Sequence, residues 1–356
     1  MHFAHGEIPA EYRRYLGFKR LCLVTGLALL AALALTAISL GAARVPLDEV
    51  ARSLAGLEVP RRFEVIVWNI RLPQVLSAMV AGAGLAVAGA AMQSILRNPL
   101  GSPFTLGISH AAAFGAALSV MVLGGGRMAS SSVGAVTVTD PLMTTGAAFV
   151  CSILAALVII AVSRVRGASP EVMVLTGVAL GALFTAGTMF LQYLADDVQL
   201  AAMVFWTFGD TARASWRELA LLASVTAVCG VYFTCNAWNY NAIDAGDETA
   251  KGLGVRVERV RLVGMLLASL LTATIIAFLG IIGFVGLVAP HMVRRVIGAD
   301  HRYLLPGTIL FGALLLLASD TAARMILSPH VLPVSVLTAF MGGPVFIWLI
   351  IRGRRT

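Results

Sequence analysis

The sequence predicts an all-α, polytopic membrane bundle of ten helices, one of them a half-helix, and three observations carry that expectation. Of its 356 residues 59% are hydrophobic and 12% charged, with a mean hydropathy of +0.89, whereas soluble domains carry roughly a quarter charged residues. Apolar stretches of about 20 residues, long enough to cross ~30 Å of hydrocarbon, recur along the whole chain. Short clusters of arginine separate them.

The elements follow in order. Residues 1–20 are polar and carry Arg13, Arg14, Lys19 and Arg20, which reads as a cytoplasmic N-terminal segment. The apolar run 21–40 exceeds the ~7–15 residues of a secretory leader's core and is expected to remain as the first span. Further spans are expected at 74–96, 104–123, 142–163, 172–195, 217–236, 261–280, 303–324 and 333–351, giving a single transmembrane domain over 21–351. Those segments alone would leave the two ends on opposite sides. Yet the tail 352–356 is also basic, through Arg352, Arg354 and Arg355, and positive residues stay in the cytoplasm. Parity therefore requires one more crossing. The stretch "GFVGLVAPHMVRR" supplies it: Phe284–Val293 is about ten residues, rising ~15 Å or half the hydrocarbon depth. Such a half-helix has to be sheltered by its neighbours.

Small residues four apart, at Gly82 and Ala86, Gly84 and Ala88, and Gly177 and Gly181, read as faces where helix backbones approach. Cys22, Cys151, Cys229 and Cys235 lie in apolar runs without CxxC spacing or a neighbouring His, and read as small fillers.

Several function classes fall away. The net charge of +8 is scattered over short turns, whereas a nucleic-acid binder gathers its charge on one face. A GxxxxGK[ST] phosphate loop is absent, since Lys19 is followed by Arg20 and Lys251 is preceded by Ala250; the chain is not an enzyme that hydrolyses ATP. HExxH and GxSxG are absent too. An ion-coupled secondary transporter, the alternative reading, would place carboxylates at the membrane midplane. Asp320 is the one candidate, and Arg324 one turn later offers it an ion pair.

Polar segments carry the functional signals. The island "NYNAIDAGDETAKGLGVRVER" reads as a punctuated short helix, with Asp244 as N-cap, Asp247 and Glu248 in the first turn, and Lys251, Gly252 and Gly254 at its end. It is either a solvated connector or a docking element for a cytoplasmic partner. "LRNPLGSP" is a stiff reversal built on Asn98, Pro99, Gly101 and Pro103. On the outside, Arg61, Arg62 and Arg324 offer forked donors for carboxylates of a docking protein. Among ionisable residues within or beside spans, Asp320, Glu171 and His110 are candidates. His110 reads most simply as bonded to backbone at a helix start, with a place on a substrate path as the alternative.

Four segments in order, "VWNIRLPQVLSAMVAGAGLAVAGAAMQSILRNPLGSPFTLGIS", "NAIDAGDETAKGLGV", "GFVGLVAPHMVRR" and "LPVSVLTAFMGGPVFIWLI", resemble the FecCD-type permeases, which import iron-siderophores, haem and vitamin B12. The resemblance runs from about residue 65 to the C-terminus. It implies a type II ABC importer permease in the inner membrane, both termini cytoplasmic, acting by alternating access as a homodimer. Two cytoplasmic ATPase subunits would hold ATP and Mg, a periplasmic substrate-binding protein would deliver a metal-chelate substrate, and this chain would hold no cofactor or metal. By the same resemblance the coupling helices map to 241–254, with Asn241, Asp244, Gly246, Asp247, Glu248, Ala250, Lys251, Gly252 and Gly254. The cytoplasmic gate maps to Asn98, Pro99, Leu100, Ala168 and Ser169, and binding-protein docking to Arg61 or Arg62 and Arg324. Spans five and ten would line the path between subunits. The chain departs from the family pattern at His110 and Val331, which bears on the cargo.

Overall fold

The computed structural model describes residues 10–41, 43–122, 141–327 and 330–352. Residues 1–9 of the N-terminal segment and 353–356 of the tail lie outside the described residues. Fifteen α-helices follow one another among them, and no strand is present beyond one isolated bridge. Seven helices are long and apolar enough to cross a membrane. They are α1 (Ala10–Ser39), α4 (Leu72–Ile95, continuous with α3, Arg61–Val65, through a π-turn), α6 (Pro141–Val165), α7 (Pro170–Leu194), α9 (Trp216–Cys235), α12 (Val257–Leu279) and α14 (His301–Ile326). Shorter apolar helices α5 (Ile108–Val122) and α15 (Val334–Arg352) complete the expected spans, and α13 (Val285–Ile297) is the half-helix. At 13 residues α13 rises ~20 Å. The rest are short: α2 (Leu47–Leu54), α8 (Asp197–Thr207), α10 (Ala237–Asp244) and α11 (Asp247–Gly252).

The continuous helix Arg61–Ile95 is the most buried of the spans and forms the axis of the bundle. Its small residues explain why. A Cβ added to Gly312 of α14 would meet the Ala86 Cβ at 2.3 Å and the Gly82 carbonyl oxygen at 2.4 Å. One added to Gly89 would meet the Gly286 carbonyl oxygen of α13 at 1.9 Å. Gly177 and Gly181 do the same for α7 against Leu106 and Gly107. These are the packing faces expected of small residues four apart. The cysteines are all free; Cys229 is buried, but Cys235 is exposed rather than filling the core.

The break before α13 is built from non-helical backbone at 280–284, with Gly280 at φ 78° and Phe284 at φ 66°. Its polar groups are met by protein. Ile281 bridges Phe208, and just before the break the Asp210 amide donates to the Leu279 carbonyl at 2.8 Å; the Arg213 guanidinium in turn ties the facing segment together, donating to the carbonyls of Phe205, Trp206 and Phe208 at 2.8, 3.0 and 2.7 Å. Unmet backbone groups in hydrocarbon cost several kcal/mol each, so the 205–213 segment is what makes this break tolerable.

One boundary differs from the sequence reading. The second span begins at Arg61 rather than near residue 74, so Arg71, expected outside the membrane segment, is buried within the helix. Its guanidinium lies over Gly41, whose missing Cβ makes the space.

Candidate functional site

At one end of the bundle the polar island folds as two helices, α10 and α11, hinged at Gly246 (φ 114°). Asp244 is not an N-cap, as the sequence suggested. It ends α10, and Gly246, the only residue there whose backbone can take that conformation without strain, occupies the cap of α11. Gly254 (φ 82°) closes the segment as expected.

Side chains fix these helices to the spans. Asn241 donates through Nδ2 to Asp300 Oδ1 (3.0 Å) and accepts from the His301 amide (2.9 Å). The fully buried His301 imidazole places Nε2 at 2.9 Å from Asp244 Oδ2 and 3.0 Å from Ser94 Oγ. Asp300 caps α14; burial raises its pKa, but hydrogen bonds from Arg302 and Asn241 outweigh that and hold it at about 2. Asp247, at the start of α11, takes both Nη1 (2.7 Å) and Nη2 (2.8 Å) of Arg261 on α12. That hydrogen-bonded guanidinium holds the Asp247 carboxyl below the ordinary carboxylate range, against a smaller opposing effect of burial.

What remains exposed on α11 is a compact patch. Glu248 is 90% exposed along its side chain and pairs with Lys251 at 2.9 Å, while Leu253 is 70% exposed. Ala250 is fully buried beneath them. An exposed ion pair adds little to stability, so this patch has charge and apolar surface to offer to another molecule. Leu253 was not singled out in the sequence, although an apolar residue between Gly252 and Gly254 has little to pack against.

Two turns lie at the same end. After α4, Arg97 takes a left-handed conformation (φ 47°), and the chain reverses through Asn98, whose Oδ1 accepts from the Leu100 amide at 2.9 Å. The Pro99 carbonyl lies 2.8 Å from His291 Nε2 of α13; a carbonyl only accepts, so that nitrogen carries the proton. In the second turn Ala168 is also left-handed (φ 55°) and buried, and the Ser169 hydroxyl donates to Glu171.

The opposite end carries a different arrangement. Arg61 and Arg62 are exposed at the start of α3. Arg324 is not a surface group: it is 5% exposed, 3.0 Å from Asp320 Oδ2, and donates to the carbonyls of Ala37 and Leu40. In this it differs from Arg61 and Arg62, whose side chains face outward. Thr211 Oγ1 and Gln74 Nε2 (3.3 Å) donate to Asp320 Oδ1. The charge of Asp320 also acts on the buried Arg71, although its ion pair is with Arg324 alone. This is a paired structural cluster and not an isolated midplane acid.

His110 lies in the first turn of α5, its ring 6.0 Å from that of Phe104. The backbone bond expected for it is absent at Nδ1, which is buried without a partner. Among the described residues no three His, Cys, Asp or Glu side chains converge as metal ligands.

The profile of the FecCD transport family matches residues 29–352. An ABC transporter permease protein of Methanocaldococcus jannaschii is 49% identical over 349 residues, covering 97% of this chain and 98% of its own. The hemin transport system permease protein HmuU of Yersinia pestis is 39% identical over 289 residues, covering 81% and 84%. A solved inward-facing metal-chelate type ABC transporter superposes with a TM-score of 0.80 at 28% identity, covering 93% of this chain and 98% of that one.

Proposed function

Because the chain belongs to the FecCD transport family, and so is the non-catalytic membrane subunit of an ATP-driven importer, we propose that it passes a metal chelate from a binding protein to the cytoplasm by alternating access. The exposed α11 patch of Glu248, Lys251 and Leu253, mounted on the spans by Asn241, Asp244 and Asp247, is the observation that carries the reading. A transporter driven by its own ion gradient has no use for a rigidly seated surface helix beside two stiff turns.

In this reading the α10–α11 end is cytoplasmic and each of two ATPase subunits, with ATP and Mg, seats on an α11. Both chain termini share that side of the cytoplasmic membrane. The turns Asn98–Leu100 and Ala168–Ser169 form the cytoplasmic gate. A second copy packs against the apolar faces that α7 and α15 leave open, at Leu175, Leu183, Phe190 and Phe340. Span five and span ten then border the path, and Arg61 and Arg62 receive acidic residues of the binding protein. The relatives' names supply the cargo class: hemin, Fe(3+)-citrate and vitamin B12 permeases are all similar to this chain.

The test is ATP turnover and uptake in proteoliposomes holding the permease, its ATPase and its binding protein, with haem, cobalamin and ferric siderophores compared. One cargo class should raise both. Glu248→Arg should weaken ATPase binding by at least ~tenfold, about 1.4 kcal/mol, with the bundle still monodisperse. Uptake driven by a sodium or proton gradient without any ATPase would sink the reading.

A further inference from the structure

We propose that Arg261 is the positioning residue that joins α11 to the first of the two turns, so that movement of α11 reaches it through one guanidinium. The inference rests on the reading of α11 as the ATPase-docking element and of the turns as a gate. Arg261 is 3% exposed and uses three donors on two elements. Nη1 and Nη2 grip the Asp247 carboxylate of α11, and Nε donates to the Ile95 carbonyl in the last turn of α4 at 3.1 Å. Ile95 stands three residues before Asn98.

Asp247 closes the connection from the other side. Its Oδ1 lies 3.7 Å from Arg97 Nη1, and Arg97 is the left-handed residue that starts the first turn. Two arginines therefore share the one Asp247 carboxylate where α11, α12 and the end of α4 come together.

The chemistry favours transmission over mere adhesion. A planar guanidinium holding a carboxylate by two parallel bonds fixes orientation as well as distance. Its third donor is committed to a carbonyl at a helix end, one of the four that lack an intrahelical partner. A displacement of α11 with Asp247 thus draws on the end of α4, and the turn beyond is already in a conformation that non-glycine residues rarely hold. The lysine at 251 has none of this geometry, being paired on the surface.

The experiment compares Arg261→Gln, Arg261→Lys and Asp247→Asn in the assembled importer, reading three quantities: affinity for the ATPase subunit, ATP turnover, and cargo delivered per ATP. Arg261→Gln should leave ATPase affinity and turnover within about twofold while cargo per ATP falls at least ~tenfold. Arg261→Lys, which keeps the charge and one contact, should recover part of that ratio. Asp247→Asn should reproduce the loss, and the double variant should be no worse than either single one. If Arg261→Gln fails to fold, the near-isosteric Asp247→Asn decides the matter alone. Unchanged cargo per ATP in that variant, or a fall matched by an equal fall in turnover, overturns the proposal. Failure of the underlying reading looks different: Glu248→Arg would then leave ATPase affinity untouched.

Discussion

Asp320→Ala is expected to destabilise the bundle by about 3–5 kcal/mol, because it leaves Arg71 and Arg324 buried together with no counter-charge. Thr211 and Gln74 lose their acceptor in the same change. Arg324→Ala should cost less, although it breaks the closer ion pair. Arg71 still feels the charge of Asp320, so one positive and one negative charge remain buried. The comparison is read from unfolding in mixed micelles at fixed lipid content. A larger loss for Arg324→Ala than for Asp320→Ala would show that the cluster is not balanced in this way. Binding-protein affinity gives a second reading of the same pair, since a buried Arg324 predicts that its removal acts through stability and not through docking.

Because α14 lies directly against the axial helix at this position, Gly312→Val should be severely damaging. Its Cβ alone would sit 2.3 Å from the Ala86 Cβ and 2.4 Å from the Gly82 carbonyl oxygen. Ordinary overpacking costs ~1–3 kcal/mol because side chains give way; here one of the atoms met is backbone, and α14 and α4 have to separate along their contact. We expect the folded fraction recovered from membranes to fall at least ~tenfold. Gly343→Ala is the control, since nothing lies within 4 Å of its added Cβ. Equal recovery of the two variants would sink the close-approach argument.

The spans were legible in the sequence because hydropathy is a property of each segment by itself. The half-helix was legible too, since its length and the basic ends left one crossing to be supplied. Residues whose meaning lies in a distant partner were not. Arg261 carries a local signal, standing with Val257, Gly264 and Ala268 on the buried stripe of α12, while Arg256 and Arg259 stand off it. That stripe says an arginine is buried, but not that Asp247 and Ile95 receive it. His291 and His301 are similar cases: each makes its bond to a segment more than fifty positions away. Asp244 misled for a different reason. Asp before a short acidic turn is a good cap signal, yet Gly246 two residues on can reverse the chain and releases Asp244 to meet His301.

The sheltered break at 280–284 also bears on how the chain enters the membrane. Phe208, which bridges Ile281, and Asp210, which meets the Leu279 carbonyl just before the break, both precede it, so the ribosome has released both partners before the break emerges. A segment too short to insert unaided thus arrives beside a wall already in place. A permuted gene that begins at α12 reverses the schedule and exposes that non-helical backbone to lipid while the wall is still unmade. We expect such a chain to leave α13 accessible to aqueous thiol reagents at an introduced Val288→Cys, where the native order protects it; equal protection in both would show that the order of synthesis does not matter here.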